Sequence, residues 1–318
     1  MTIDIMTRTL LNPHFDHDRV IWSDDYSGLY QPVEYSRQFD DQWKLFLEKR
    51  IGFHRHTGVE TTDPYIDDRI YELTGVRGYL ERRRYGQLFP LVNGFRSVLG
   101  LDKRRDIGGR LYLEPKFQID YFKGKRCLDI GCGAGRWTRT LLALGASVKS
   151  VDVSPHALRS TRRFNDDVEV LNLFDIQDRR PDLHEAFDFT LCWGVVMCTH
   201  DPKIAFENVA RTVKPDGQLY TMIYAPTYHA SSFVRQARRH YHTMLKNMEE
   251  KLSYAYQIAD CPENAINVLD MLNTFYNWTV PEDVIHNWYR QHGYVDIRTL
   301  NKNEANPCAY HVLGTKVL

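Results

Sequence analysis

Short apolar runs alternate with amphipathic segments over the second part of the chain. The runs predict strands at 126–131, 147–153, 168–173, 187–193, 218–224, 294–300 and 308–316. Segments with apolar residues three or four apart predict helices at 137–144, 155–164, 202–213 and 281–292. Strands that alternate with helices of this length are typical of a doubly wound parallel sheet. The pattern therefore predicts an α/β fold over residues 124–318.

This alternation is interrupted after the fifth predicted strand. Residues 226–275 carry a long helical pattern, in which Phe233, Ala237, Tyr241 and Met244 fall three or four positions apart. An insertion at this point lies over the carboxyl end of the sheet. We therefore expect residues 226–275 to form a helical lid.

Charge separates the first part of the chain from the rest. Residues 1–76 hold 8 Lys and Arg against 14 Asp and Glu, whereas residues 77–126 hold 13 against 5. This asymmetry predicts an N-terminal helical extension over residues 1–123. The arginine runs at 82–84 and 103–105 allow two interpretations. They could bind an acidic or phosphorylated substrate, or they could form a solvated face.

Composition excludes several classes of protein. The 318 residues carry 41 Lys and Arg against 41 Asp and Glu, which argues against a nucleic-acid binder. No apolar run approaches the roughly 18–20 residues of a membrane helix, and the first residues do not resemble a signal peptide. The cysteines are scattered without metal-binding spacing. We expect reduced thiols, no metal site, no membrane association and a cytoplasmic protein.

The sharpest motif is a glycine-rich turn between a strand and a helix, with glycines at Gly131, Gly133 and Gly135. Such a turn lets a ligand approach the backbone and the helix N-terminus. Asp152, 21 residues after Gly131, ends the next strand, where a carboxylate accepts hydrogen bonds from ribose hydroxyls. The spacing departs from the dinucleotide fingerprint. Asp129 would repel a pyrophosphate but suits an ammonium group, which favours S-adenosylmethionine over NAD.

These residues resemble the class I S-adenosylmethionine-dependent methyltransferases. Residues 128–135 resemble the first motif of that family, 151–154 the second, 187–191 the fourth-strand motif and 213–219 the turn into the fifth strand. The resemblance implies a Rossmann-like sheet of seven strands, six parallel and the seventh antiparallel, and S-adenosylhomocysteine as product. The cofactor-binding residues that we infer from the motifs and the resemblance together are Trp43, Asp129, Gly131, Cys132, Gly133, Gly135, Asp152, Val153, Asp175, Ile176 and Trp193.

A second resemblance lies ahead of this core. The aromatic segment 35–43 is similar to one in methyltransferases of bacterial surface-polysaccharide and natural-product clusters, where it helps to close the cofactor pocket. The alternative is that Phe39 and Trp43 are simply core residues. One departure concerns Met197 and Cys198, which stand where many relatives carry two histidines. No catalytic role can be transferred to these two positions.

Several functions fit this sequence. The first hypothesis is O-methylation of a sugar or glycan-linked hydroxyl, and the second is N- or O-methylation of a specialised metabolite. The third is a binding module that holds the cofactor without chemistry. A general base would assist a hydroxyl acceptor, and the candidates are His54, His56 and His229. We expect a small-molecule acceptor and no nucleic acid; a homodimer stays open.

Overall fold

The computed structural model describes residues 36–52, 63–98, 114, 116–229, 232–259, 262, 265–274 and 276–317. Within them, one sheet has the strand order β3-β2-β1-β4-β5-β7-β6. Its strands are β1 (Arg126–Ile130), β2 (Ser147–Asp152), β3 (Val168–Val170), β4 (Phe187–Trp193), β5 (Val213–Tyr224), β6 (Tyr294–Thr299) and β7 (Ala309–Lys316). The pairs among β1 to β5 are parallel, and β7 runs antiparallel between β5 and β6. The predicted seven-stranded fold is confirmed.

Helices cover both faces of this sheet and add an N-terminal layer. They are α1 (Ser36–Leu47), α2 (Asp63–Thr74), α3 (Tyr79–Tyr85), α4 (Phe89–Val98), α5 (Arg136–Ala143), α6 (Pro155–Thr161), α7 (Ile176–Arg179), α8 (Pro202–Ala210), α9 (Ser232–Thr243), α10 (Met248–Ala259), α11 (Ala265–Leu272) and α12 (Glu282–Gln291). The helices α1 to α4 confirm helical structure in the described part of the N-terminal extension. The boundary between residues 123 and 124 stays a prediction.

Two apolar clusters hold the sheet between its helices. On one face, Ile70 of α2 and Leu141 of α5 pack with Phe189 of β4. On the other face, Phe206 of α8 and Tyr289 of α12 form part of the second cluster. All five side chains are fully buried, so each contributes about 1.5–3 kcal/mol of transfer free energy.

A third apolar cluster joins the N-terminal helix to the insertion after β5. Leu45 of α1 and Ile51 pack with Tyr241 of α9, Leu252 of α10 and Leu269 of α11. Helix α1 thus belongs to the same structural layer as the insertion. This layer stands over the carboxyl ends of β1, β2, β4 and β5, where ligands bind in open α/β sheets.

The sequence pattern was wrong about the form of this insertion. Instead of one long helix, α9, α10 and α11 occupy the segment. The break comes at Asn247, whose side-chain oxygen accepts from the Glu250 backbone N–H at 2.9 Å, while Glu250 accepts from the Lys246 N–H at 2.7 Å. This reciprocal capping starts a new helix. The apolar spacing continues across this break, and two of its members, Phe233 and Met244, are exposed.

Two further observations concern the length of the third strand and the exposure of the cysteines. The third strand stops at Val170, three residues earlier than predicted, because Asn172 accepts from the Phe174 backbone N–H at 3.1 Å and begins a short turn. Four of the described cysteines are free and buried as expected, whereas Cys308 is exposed. No helix among the described residues combines the length and the apolar character that a membrane span requires.

Candidate cofactor and acceptor site

A cavity of about 250 Å³ opens at the carboxyl ends of the central strands. Its lining comes from the β1, β2, β4 and β5 ends and from helices α1, α5 and α11. The lining residues are Phe39, Trp43, Ile130, Gly131, Cys132, Gly133, Arg136, Trp137, Asp152, Val153, Leu171, Leu173, Trp193, Gly194, Val195, Cys198, Met222, Tyr224, Asn267, Asp270 and Thr274. Seven of the predicted cofactor residues are among them.

The glycine turn between β1 and α5 forms one wall of this cavity. Gly131 and Gly133 adopt φ values of 66° and 56°, a left-handed conformation that residues with a side chain rarely take. A Cβ on Gly131 would lie 2.2 Å from Cγ2 of Val195. Because these residues are glycines, the peptide groups of the turn are accessible from the cavity. A ligand can therefore contact them directly.

Asp152 ends β2 beside the glycine turn. Its carboxylate accepts hydrogen bonds from the Gly133 N–H at 2.9 Å and from the Ser154 N–H at 2.8 Å. Burial raises the pKa of Asp152 to about 6, although these backbone donors oppose the increase. The carboxylate both fixes the turn and, with Val153, lines the cavity. A vicinal diol at this place would meet a carboxylate that is already positioned.

Asp129 lies beneath the same turn rather than in the cavity wall. Its side chain accepts from the Thr138 hydroxyl at 2.7 Å, and that hydroxyl lies 2.8 Å from Ser150 Oγ. Burial raises the pKa of Asp129 to about 6. We expected this carboxylate to face an ammonium group. The structure places it in a buried network that supports α5, and its role toward a ligand stays a prediction.

Aromatic rings surround the cavity. Trp137 and Trp193 lie with ring centroids 4.6 Å apart, and Trp193 lies 4.7 Å from the His311 ring. Trp43 reaches the cavity from α1, beside Phe39. The Trp137 indole Nε1 is buried and finds no hydrogen-bond acceptor among the described residues. A ligand could accept a hydrogen bond from this N–H group. Trp137 was not among the cofactor residues predicted from the sequence.

Besides Asp129, three predicted cofactor residues do not line the cavity. Gly135 precedes α5, and a Cβ there would meet Phe164 at 2.6 Å. Asp175 forms an ion pair with Arg179 at 3.1 Å. Ile176 is fully buried in the core. Just before these two residues in the chain, Leu171 and Leu173 line the cavity instead. The roles of all three stay predictions.

The predicted bases are not placed at the site. His54 and His56 lie outside the described residues. His229 ends a short helical turn, Pro226–His229, directly after β5, and its side chain is outside the described part of the structure. Among the described residues, no cluster of three or more His, Cys, Asp or Glu could hold a metal ion.

Helix α11 contributes residues to the cavity that no sequence motif indicated. Asn267, Asp270 and Thr274 all line the cavity from the insertion. Asp270 stands between apolar neighbours in the sequence Val268-Leu269-Asp270-Met271-Leu272. The sequence signal for this contribution was a single carboxylate in an apolar helix. The sequence could not show which part of the protein this helix faces.

The cavity thiols do not fit a nucleophilic role. Burial raises the pKa of Cys198 to about 12, and burial likewise holds the pKa of Cys132 well above its ordinary value. A thiol is nucleophilic mainly as thiolate. Both cysteines are therefore small neutral wall residues at neutral pH.

Comparison with known proteins now adds to this geometry. Residues 128–221 match the sequence profile of a family described as "Methyltransferase domain". Over this segment the chain therefore matches a methyltransferase domain. The methyltransferase domain covers β1 to most of β5, the part that builds the glycine turn, Asp152 and Trp193.

Curated relatives match over the same part. A mitochondrial ubiquinone biosynthesis O-methyltransferase from Schizosaccharomyces pombe is 33% identical over 102 residues, 31% of this chain and 37% of that protein. A ubiquinone biosynthesis O-methyltransferase from Idiomarina loihiensis is 30% identical over 105 residues, 30% of this chain and 41% of that protein. The chain thus spans less than half of the length of these relatives.

Solved structures resemble the chain more distantly. One methyltransferase from Methanosarcina mazei is 17% identical, with a TM-score of 0.42, over 62% of this chain and 94% of that one. A 1,6-didemethyltoxoflavin-N1-methyltransferase from Burkholderia thailandensis, solved with S-adenosylhomocysteine, is 14% identical, with a TM-score of 0.40, over 74% of this chain and 90% of that one.

The cavity fits S-adenosylmethionine, the cofactor of this family. The bare turn at Gly131 and Gly133 admits a ligand to the backbone. Asp152 offers a carboxylate suited to a ribose diol, and the unsatisfied Trp137 N–H offers a donor. We therefore assign the methyltransferase domain a cofactor site in which these residues would hold the ligand.

Proposed function

We propose that this chain is an S-adenosylmethionine-dependent methyltransferase that methylates a hydroxyl group of a small molecule. The observation that carries the proposal is that one cavity joins the glycine turn and Asp152 to polar side chains of the insertion, Asn267 and Asp270. Cofactor and acceptor groups can thus meet in a single space. When bound, S-adenosylmethionine supplies a methyl group attached to a positively charged sulfur.

The residues of this chain supply orientation and exclusion of water, the main protein contributions to such a transfer. Helix α1 covers the cavity, and Asp40 attaches it to the methyltransferase domain. The Asp40 carboxylate accepts from the Ser154 hydroxyl at 2.8 Å and lies 2.7 Å from the His156 ring. On the other side, the Asn273 amide donates to the Gln38 carbonyl at 3.0 Å. Helix α1 is therefore attached to the domain and to the insertion.

A sugar or glycan-linked hydroxyl is the acceptor that we place first. Support comes from the aromatic segment 35–43, of which Phe39 and Trp43 line the cavity. Aromatic walls beside a few polar groups suit the apolar faces and hydroxyls of a sugar. The arginines at 82–84 are exposed, although Arg84 lies 3.4 Å from Asp63, and they are the charges that we propose for an acidic or phosphorylated acceptor. Nothing in this arrangement calls for nucleic acid.

A specialised metabolite is the second candidate acceptor. The named relatives are O-methyltransferases of ubiquinone biosynthesis, and the flat walls of Trp43, Trp193 and Tyr224 would also suit an aromatic ring. A binding module without chemistry is the third candidate, because the same residues would hold the cofactor in either case. A cytoplasmic location, which the unpaired cysteines favour, belongs to this proposal.

The test is methyl transfer from S-adenosylmethionine with a labelled methyl group. The panel should contain monosaccharides, nucleotide sugars, catechols and primary amines. We expect label in a hydroxyl-bearing product, and less label with Asp152→Ala at a cofactor concentration that just saturates the wild type. Asp178→Asn is the matched control, because Asp178 is an exposed aspartate. Transfer to amines alone would contradict O-methylation. Cofactor binding without transfer to any acceptor of the panel would favour the binding module.

A further inference from the structure

Helix α11 brings one carboxylate into the cavity, that of Asp270. Asn267 and Asp270 are three positions apart in α11, and Thr274 follows the helix; all three line the cavity from the side of the insertion. Residues with this spacing share one side of a helix. Asp270 is the acidic residue on this side. It comes from outside the segment 128–221, so the methyltransferase family profile assigns it no role.

Gln42 of α1 fixes this carboxylate. Its amide Nε2 donates a hydrogen bond to Oδ1 of Asp270, and the Gln42 side chain is only 2% exposed. Among the described residues, no hydrogen bond is formed to Oδ2 of Asp270. One oxygen is therefore held, and the other remains available to a ligand in the cavity.

Asp270 lines the same cavity as Tyr224 and Cys198, which lie at the ends of β5 and β4, and we take this side of the cavity as the acceptor end. It interacts electrostatically with the Tyr224 and Tyr228 phenols and with the Cys198 thiol. Tyr224 ends β5 and stacks on Tyr228 at 4.0 Å, and Cys198 follows β4. Asp152, the expected ribose ligand, ends β2 on the other side of β1 in the sheet.

The charge environment suits a proton acceptor near neutral pH. Burial raises the pKa of Asp270 to about 6, although the Gln42 hydrogen bond and the Arg136 guanidinium oppose the increase. Arg136 is the cation that interacts with Asp270, from the start of α5. Catalytic bases work best when their pKa lies near the working pH.

We propose that Asp270 is the general base that receives the proton of the acceptor hydroxyl, and that Gln42 positions it. This inference rests on the proposed function. The acceptor oxygen forms a bond to the methyl carbon as the carbon–sulfur bond breaks. The electron pair of the broken carbon–sulfur bond stays on sulfur. The acceptor proton passes to Oδ2 of Asp270 and then to solvent. The products are the methyl ether, S-adenosylhomocysteine and one proton.

A binding comparison without turnover tests the placement. S-Adenosylhomocysteine carries an amino-acid ammonium, whereas 5′-methylthioadenosine lacks it. Calorimetry should give affinities for both ligands that change less than threefold in Asp270→Asn and in the control Asp178→Asn. A loss above tenfold for S-adenosylhomocysteine alone would assign Asp270 to the cofactor ammonium and overturn the proposal. Failure of the wild type to bind either ligand would instead contradict the proposed function.

Kinetics with the acceptor found by the labelled-methyl panel tests the chemistry. Asp270→Asn should lower kcat at least 100-fold, with KM changed less than threefold, and Asp270→Glu should restore part of kcat. The wild-type rate should rise with pH through about 6, and this limb should be absent in Asp270→Asn. A kcat within fivefold of wild type, or an unchanged pH limb, would overturn the assignment.

Gln42→Leu tests the positioning role separately. Loss of the amide donor removes one group that favours the ionised carboxylate. The rising limb of the rate should therefore move to higher pH, with the plateau rate also reduced. An unmoved limb would show that Gln42 has only a structural role and would overturn its part of the proposal.

Discussion

The Trp43 indole of helix α1 lies directly against Gly133 of the cofactor turn. A Cβ added to Gly133 would approach Cζ2 of Trp43 to 2.6 Å, closer than carbon atoms come without a shift. Because Gly133 also donates its N–H to Asp152, this contact connects the N-terminal helix to the center of the expected ribose site. The position of helix α1 over the cavity and the conformation of the cofactor turn therefore depend on each other through this contact.

Gly133→Ala should weaken binding of S-adenosylhomocysteine at least tenfold, because the new methyl group displaces Trp43 or the turn. The left-handed conformation at Gly133 costs about 1 kcal/mol for a residue with a side chain. Gly124→Ala is the matched control. Gly124 has a φ of 75° and no atom within 4 Å of the added Cβ. Calorimetry on both variants separates the contact from the backbone effect; equal losses of affinity would contradict this account of the Trp43 contact.

Asp152→Ala should weaken cofactor binding by about 1–3 kcal/mol, since it removes charge-assisted hydrogen bonds. The variant also removes the acceptor of the Gly133 and Ser154 N–H groups, so part of the loss comes from a loosened turn. Asp152→Asn keeps one side-chain oxygen as an acceptor and should lose less. Unchanged affinity in both variants would remove Asp152 from the ribose site.

Cofactor affinity should rise with pH between 5 and 7 and level off above. Burial raises the pKa of Asp152 to about 6 in the free protein. Ribose hydroxyls that donate to this carboxylate favour its ionised form, so binding releases a proton below that pKa. The affinity can change up to about tenfold per pH unit there. Calorimetric titration of S-adenosylhomocysteine at several pH values measures this slope, which Asp152→Asn should flatten. A flat wild-type profile would argue against a ligand contact at Asp152.

Asp40→Ala should detach α1 and weaken cofactor binding several-fold while the sheet stays folded. Although burial acts to raise it, hydrogen bonds from His156 and Ser154 hold the pKa of Asp40 below its ordinary value. The ionised carboxylate therefore stabilises the docked helix at neutral pH. Limited proteolysis should cut near α1 faster in Asp40→Ala than in Asp41→Ala, a neighbouring aspartate on the same helix. Equal cutting rates would mean that other contacts hold α1.

Sequence reasoning succeeded where the chemistry is local. The glycine turn, Asp152 and Trp193 are encoded within a few residues of a strand end, and each lies at the cavity. Trp43 was also predicted at the cofactor site, through the resemblance of its aromatic segment.

The contribution of the insertion could not be predicted in the same way. Asp270 reaches the cavity because Leu45 and Leu269 bury against each other's helices, 224 positions apart. Asn247 decides where the helices break, and its cap is hidden by continuous apolar spacing. Asp129 shows the converse case: its motif position suggested a ligand contact, yet Thr138 and burial place it in a supporting network.

Binding of S-adenosylhomocysteine, S-adenosylmethionine, NAD and NADP, followed by thermal unfolding, tests the central claim most directly. A ligand that binds only the folded protein raises Tm as its occupancy grows. We expect an increase in Tm with S-adenosylhomocysteine and S-adenosylmethionine, smaller in Asp152→Ala, and none with NAD or NADP. An increase with the nicotinamide cofactors alone would contradict the assignment of this cavity to S-adenosylmethionine.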